Sequence, residues 1–227
     1  MENLIVIAIC EGKKDALFID MVARGLGLRT SRLEERVLGY QNLQKEMGTI
    51  STIKDAIELP DVIIFPAGGT PNIRKYLHRV INHVISIHSR IRGYLFKILV
   101  LIDQNAVNIP SRQRAMRIIN EAMKELHSYW RGLQFEIKES STPDKDNYVD
   151  RIISRKGRQY AETRIRIIVV NSDAGSFDNF LDRILKQEGC IPNKLEEQIA
   201  KAVKILEKSH LKPSWYQRLK EYLLDPP

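Results

Sequence analysis

Cysteine is scarce in this chain: two in 227 residues, Cys10 and Cys190. That is too few for a disulfide framework or for a zinc cluster built from four closely spaced ligands, so both read as inert thiols in a reducing compartment. Long hydrophobic runs are lacking as well. Residues 4–10 form an apolar run, but Glu2 rather than a basic segment precedes it, so it does not read as a signal peptide. No apolar stretch approaches the length needed to span a bilayer, and the expected location is cytoplasmic. Internal repeats and low-complexity tracts are missing. Acidic charge is in deficit, with 28 Asp and Glu against 36 Lys and Arg, a formal net charge of +8. A pI near 9.4 favours a polyanionic partner, nucleic acid or anionic lipid, although Ile/Lys/Glu/Arg-rich compositions are also basic without any such partner.

What is present describes an ordinary globular protein, 43% hydrophobic and 28% charged. The length fits one domain with an appendage, or two small domains. Leu4-Ile-Val-Ile-Ala-Ile-Cys10 is a continuous β-branched run, which marks a strand buried on both faces of a parallel sheet. A helix follows from Asp15, with Leu17, Phe18, Met21 and Val22 on one stripe and Gly25 and Gly27 at its end. Residues 30–59 are polar and mixed, with a short helical pattern near 41–47, and read as a variable insertion.

Asp61-Val-Ile-Ile-Phe-Pro66 predicts a second strand, and Ala67-Gly68-Gly69-Thr70-Pro71-Asn72 a turn into a helix over 73–91. Lys97-Ile-Leu-Val-Leu-Ile102 predicts a third strand ending in Asp103-Gln104-Asn105, followed by a helix from Pro110-Ser111 to about Trp130. Further strands are expected over 134–138 and 164–170, and a helix over 179–186. The β-α-β-α-β-α alternation predicts an α/β fold, a mostly parallel, doubly wound sheet with helices on both faces. The expected organisation is an α/β domain over 1–188 and a helical carboxyl-terminal extension over 189–227, with Pro213 as a break.

Glu11, Asp103 and Asp173 each follow a separate strand. In a parallel sheet such ends lie along one edge, so residues distant in sequence converge there. Convergent carboxylates suit Mg²⁺ or Mn²⁺, hard cations that take oxygen ligands. For any single acid, the simpler reading is a polar loop start. Asp15, one turn beyond Glu11, fits either a metal-facing role or the complement of its helix's positive end. Gly68 and Gly69 at a helix start could hold a phosphate or form an ordinary turn. Gly12-Lys13-Lys14 is not a Walker-type phosphate loop.

The basic residues are unevenly spread. Arg151, Arg155, Lys156, Arg158, Arg164 and Arg166 crowd one window with Tyr160, and Arg112, Arg114 and Arg117 follow Asp103. Such residues suit a groove that tracks a nucleic-acid backbone, or equally a solvated helix face and an arginine-rich edge strand. His78, His83 and His88 recur every five residues, a step that spreads them around a helix and argues against metal binding.

Glu11-Gly12-Lys13-Lys14-Asp15, backed by Leu17 and Phe18, resembles the Glu-Gly-x-x-Asp motif that follows the first strand of TOPRIM domains. Asp103-Gln104-Asn105 resembles the Asp-x-Asp after that family's third strand, with Asn105 in place of the second aspartate. Residues 64–69 and 171–185 are similar to the intervening strand and later acid-containing loop of OLD-like and small stand-alone members. The resemblance covers about residues 3–186. It implies Glu11 as the proton-transfer residue and Asp103, with Asn105 in the second position, as ligands of Mg²⁺ or Mn²⁺; Glu11 and Asp173 at their strand ends complete the expected ligand set, with Asp178 as the alternative to Asp173 in supplying the missing charge. It also implies phosphodiester chemistry on DNA or RNA, most simply that of an endonuclease. Lys13, Lys14, Arg112, Arg114, Arg155, Lys156 and Arg158 are the expected nucleic-acid contacts, and Gly68 and Gly69 the expected phosphate contacts. A homodimer through the carboxyl-terminal helices is a further expectation. Because Asn105 carries no charge, two alternatives stand beside the nuclease: a non-catalytic nucleic-acid-binding or adaptor protein, and a nucleotide or phosphate binder.

Overall fold

A computed structural model describes residues 3–32, 60–88, 94–104, 110–139, 148–156, 162–170, 176–187, 189, 192–210 and 212–224. Seven strands form one sheet: β1 (Asn3–Cys10), β2 (Thr30–Arg32), β3 (Val62–Pro66), β4 (Tyr94–Asp103), β5 (Phe135–Glu139), β6 (Tyr148–Arg155) and β7 (Glu162–Val170). Their spatial order is β2-β3-β1-β4-β7-β6-β5. The first five in that order are parallel, while β6 runs antiparallel to β7 and to β5. The helices are α1 (Lys13–Gly25), α2 (Thr70–His88), α3 (Ser111–Tyr129), α4 (Phe177–Gln187), α5 (Leu195–Lys208) and α6 (Ser214–Leu224).

The β-branched runs are buried because both sheet faces are covered. Successive side chains of a strand point to opposite faces, and β1 divides accordingly. Ile5, Ile7 and Ile9 join the layer formed with α2 and α3, whereas Val6, Ala8 and Cys10 join the layer formed with α1, α4, α5 and α6. Strand β4 is split the same way, Ile98, Val100 and Ile102 against Leu99 and Leu101. Helix α1 ends in a Schellman motif: the Leu28 N–H donates to Ala23 O and the Gly27 N–H to Arg24 O, each at 3.0 Å, with Gly27 at φ +82°.

Two differences from the sequence expectations have physical causes. Thr30–Arg32 is a short parallel edge strand beside β3, so the polar stretch starts inside the sheet. The helical pattern near 41–47 lies outside the described residues. Strand β6 was not anticipated, because Asp150 and Arg151 interrupt its apolar pattern. Its charges are buried by partners on the next strand: Asp150, opposite Arg166 in register, accepts from Arg166 at 2.6 and 2.8 Å and from Arg164 at 2.8 Å. Arg151, Arg164 and Arg166 thus belong to the interior or its margin, not to an open groove.

The carboxyl-terminal helices complete one core layer. Trp215, Tyr216 and Tyr222 are buried, with Trp215 edge-on to Phe177 and Phe180. The Tyr222 hydroxyl lies 3.0 Å from Ile98 O and 2.9 Å from Arg164 O. Lys97, itself buried, donates to the carbonyl of Tyr222 at 3.2 Å near the end of α6, where a cation suits the negative end of the helix.

Candidate active site

Parallel pairing brings the carboxyl ends of β1, β3, β4 and β7 to one edge of the sheet, with Cys10 opposite Pro66 and Leu101, and Asp103 opposite Val170. Glu11 is the first residue past β1 and Asp103 the last of β4. They meet directly: Glu11 Oε1 accepts the backbone N–H of Asp103 at 3.0 Å. Asp103 Oδ1 in turn accepts the N–H of Phe177 at 3.1 Å, a donor left unsatisfied by the start of α4. Among the described residues, these hydrogen bonds engage one oxygen of each carboxylate.

Two more acids flank the pair. Asp15 is buried, and its Oδ2 accepts the Gly12 N–H at 2.8 Å, tying the first turn of α1 to its cap. Asp178 pairs with Lys14 at 3.1 Å on a more exposed flank. Burial pushes the Asp103 carboxyl up to about 6, with the Glu11 and Asp178 charges adding to it and the Phe177 N–H and Arg114 opposing. Burial, reinforced by the charges of Asp103, Glu11 and Asp178, raises Asp15 to about 8, against the Gly12 hydrogen bond. Both carboxyls are thus harder to ionise than in water, the condition a nearby cation relieves.

Arg114, in the first turn of α3, reaches across to this edge. Its Nη2 lies 3.5 Å from Glu11 Oε1 and 3.4 Å from the hydroxyl of Thr70, the first residue of α2. Ser111 Oγ donates to Gln104 Oε1 at 3.1 Å, fixing the start of α3 against the residue that follows Asp103.

The glycine turn has a different task from the one expected of it. Gly68 and Gly69 have φ of +75° and +108°, conformations that glycine adopts at little cost. The Gly69 N–H donates to the Glu11 carbonyl and the Ala67 N–H to the Cys10 carbonyl, each at 2.8 Å. The turn therefore holds the end of β1 in place, and the Gly69 donor is not offered to a phosphate.

The basic residues divide by position. Lys13 is exposed at the start of α1, and Arg112 is exposed in the first turn of α3, both on the acid-bearing edge. Arg155 and Lys156 lie at the other end of the sheet, because β6 runs antiparallel and its register places Ser154 opposite Glu162 at the start of β7. Eight residues of strand separate that end from Val170, about 26 Å at the usual rise. They do not share a surface with Glu11 and Asp103. Lys156 instead lies 3.8 Å from Glu136 on β5. Asn105, Arg158 and Asp173 lie outside the described residues. Among the described residues no group of three or more His, Cys, Asp or Glu side chains is arranged to hold a metal ion. The fit to a hard cation therefore rests on the Glu11 and Asp103 oxygens and on the raised carboxyls of Asp103 and its neighbour Asp15.

Sequence reading found Glu11 and Asp103 from their places at strand ends. It gave no account of the Arg114–Glu11 contact or of the Phe177 N–H on Asp103, since neither is encoded by local spacing.

Fold and site together define an α/β protein with a mixed, mostly parallel sheet whose carboxyl edge carries a partly buried acid cluster with an arginine beside Glu11. No protein-family model matches the chain, no curated protein matches it, and no solved structure matches it. No helix among the described residues is long and apolar enough to cross a membrane.

Proposed function

We propose that this chain is a TOPRIM-like, divalent-metal-dependent enzyme that acts on phosphodiester bonds of nucleic acid, in the manner of an endonuclease, in the cytoplasm. The observation that carries the reading is the 3.0 Å hydrogen bond from the Asp103 backbone amide to the Glu11 carboxylate, which joins residues 92 positions apart at the carboxyl edge of the sheet. Asp103 and Glu11 would hold Mg²⁺ or Mn²⁺, whose contribution would be to neutralise charge on the phosphate oxygens. The Phe177 N–H orients Asp103, and the Asp103 amide orients Glu11. Glu11 is the group placed to move a proton to or from the reacting oxygen. Lys13 and Arg112 supply exposed positive charge beside it.

The test is nicking of supercoiled plasmid with Mg²⁺ or Mn²⁺ by the wild type, Glu11→Ala and Asp103→Ala. We expect cleavage by the wild type and a loss of two or more orders of magnitude in each variant. Cleavage that survives both substitutions removes the assignment.

A second reading, a nucleic-acid-binding protein without catalysis, is favoured by the Arg114–Glu11 pair and by the two-acid set among the described residues. Salt-dependent binding without metal-dependent cleavage would select it. A nucleotide or phosphate binder built on the glycine turn is the weaker alternative, because the Gly69 N–H already serves the Glu11 carbonyl. A homodimer through α5 and α6 would have to use their outer faces, since Trp215, Tyr216, Leu219 and Tyr222 are buried within the chain.

A further inference from the structure

Arg114 is under-used where it stands. A guanidinium carries several N–H donors in a planar fork, and buried donors are ordinarily all satisfied. Its Nη2 makes two long contacts, 3.5 Å to Glu11 Oε1 and 3.4 Å to Thr70 Oγ1, while its Nε is buried and has no hydrogen-bond partner. The Arg114 and Glu11 side chains are each 15% exposed, so the pair lines the floor of the edge rather than waving in solvent. Elsewhere in the same molecule a fully matched arginine looks different: Arg166 grips Asp150 with two donors at 2.6 and 2.8 Å. A positioned cation with donors in reserve, beside a hydroxyl and an acid pair, is what a tetrahedral oxyanion recruits, because phosphate oxygens take the fork bidentately.

We propose that Arg114 receives a phosphate group of the substrate backbone, and that its contact with Glu11 is a resting lock which that phosphate opens. In the resting state the guanidinium neutralises the Glu11 carboxylate and keeps the acid pair from repelling the site apart. An arriving phosphodiester competes for the same Nη2 and takes up the unused Nε. Arg114 then leaves Glu11, and the carboxylate faces the bound group without its ion pair. Thr70, at the head of α2, stays as the second hydrogen-bonding group at the phosphate. Binding and readiness of the proton-transfer residue are thereby coupled through one side chain. The inference rests on the nucleic-acid reading above and requires no bond to form or break.

The experiment is a double-mutant cycle read by binding rather than turnover. Fluorescence anisotropy of a short fluorescein-labelled single-stranded oligodeoxynucleotide, in EDTA, is measured across a salt series for the wild type, Glu11→Gln, Arg114→Gln and the double variant. Gln at position 11 keeps an acceptor for the Asp103 amide but removes the charge that holds Arg114. We expect Arg114→Gln to weaken binding about tenfold and to lower the salt slope by about one. Glu11→Gln should tighten binding about threefold in the wild-type background, the size of a partly exposed ion pair removed as competitor. In the Arg114→Gln background that gain should vanish.

A gain of equal size in both backgrounds shows only that a negative charge has left the surface, and overturns the lock while nucleic-acid binding stands. Wild-type affinity in Arg114→Gln overturns the phosphate role in the same way. No binding by the wild type removes the nucleic-acid reading itself, and the lock with it. If thermal unfolding shows that Arg114→Gln has lost its fold, Arg114→Met, which fills the volume without leaving a polar group unpaired, carries the same cycle with the same expected outcomes.

Discussion

Asp15 shows how burial and charge together shape a single side chain. Its carboxyl is raised to about 8 by burial and by neighbouring acids, so the folded chain binds that proton more tightly than the unfolded chain does. The stability it contributes is fully present below about pH 3.8 and is lost as the pH rises through about 8. Asp15→Asn keeps an acceptor for the Gly12 N–H but has no charge to bury. We expect it to raise the unfolding temperature at pH 8 and to flatten the decline in stability between pH 5 and 8. Thermal melts of both proteins across that range check this, and equal slopes would contradict it. Asp103, raised to about 6, adds a parallel decline that ends at lower pH.

At the scale of elements, α6 is held in its layer by buried aromatic side chains. Trp215 is 1% exposed and packs against Phe18, Phe177 and Phe180, which ties α6 to α1 and α4. Its removal leaves a large cavity, and Trp215→Ala should cost about 3–5 kcal/mol in chemical denaturation. Because α4 also supplies the Phe177 N–H to Asp103, that loss should reach the acid edge. The Lys194–Leu224 pattern announces two amphipathic helices and the break at Pro213. It does not announce their docking: the face that covers the sheet is chosen by Lys97, Arg164 and Arg166 on β4 and β7, which meet Tyr222. Likewise β6 hides from sequence reading because its charges are matched on β7, a partner that no local pattern names.

On the scale of the molecule, the candidate basic contacts divide between two ends of the sheet, Lys13 and Arg112 at the acid-bearing edge and Arg155 and Lys156 at the other. Attraction to a polyanion is long-ranged, but contacts that position a backbone must lie on the edge that carries the acids. Lys13→Glu should weaken oligonucleotide binding severalfold and lower its salt slope, whereas Lys156→Glu, about 26 Å away, should change affinity by less than twofold at physiological salt. Anisotropy titrations of the two variants decide this, and equal losses would place the binding surface elsewhere.

The sequence by itself determined five of the seven strands, all but β2 and β6, and their alternation with helices, because β-branched runs buried on both faces and amphipathic periods are local properties of the chain. It also determined that Glu11 and Asp103 end their strands, since each sits where an apolar run stops. Only the tertiary structure decided that Glu11 touches the Asp103 amide, that Arg114 rather than Lys14 or Arg112 meets Glu11, and that Arg155 and Lys156 stand at the opposite end. Those outcomes depend on strand order, register and direction, which are fixed by packing between segments far apart in sequence. The glycine turn makes the same point. Its positive φ values follow from Gly68 and Gly69 themselves, but its bond to the Glu11 carbonyl exists only because β3 lies beside β1.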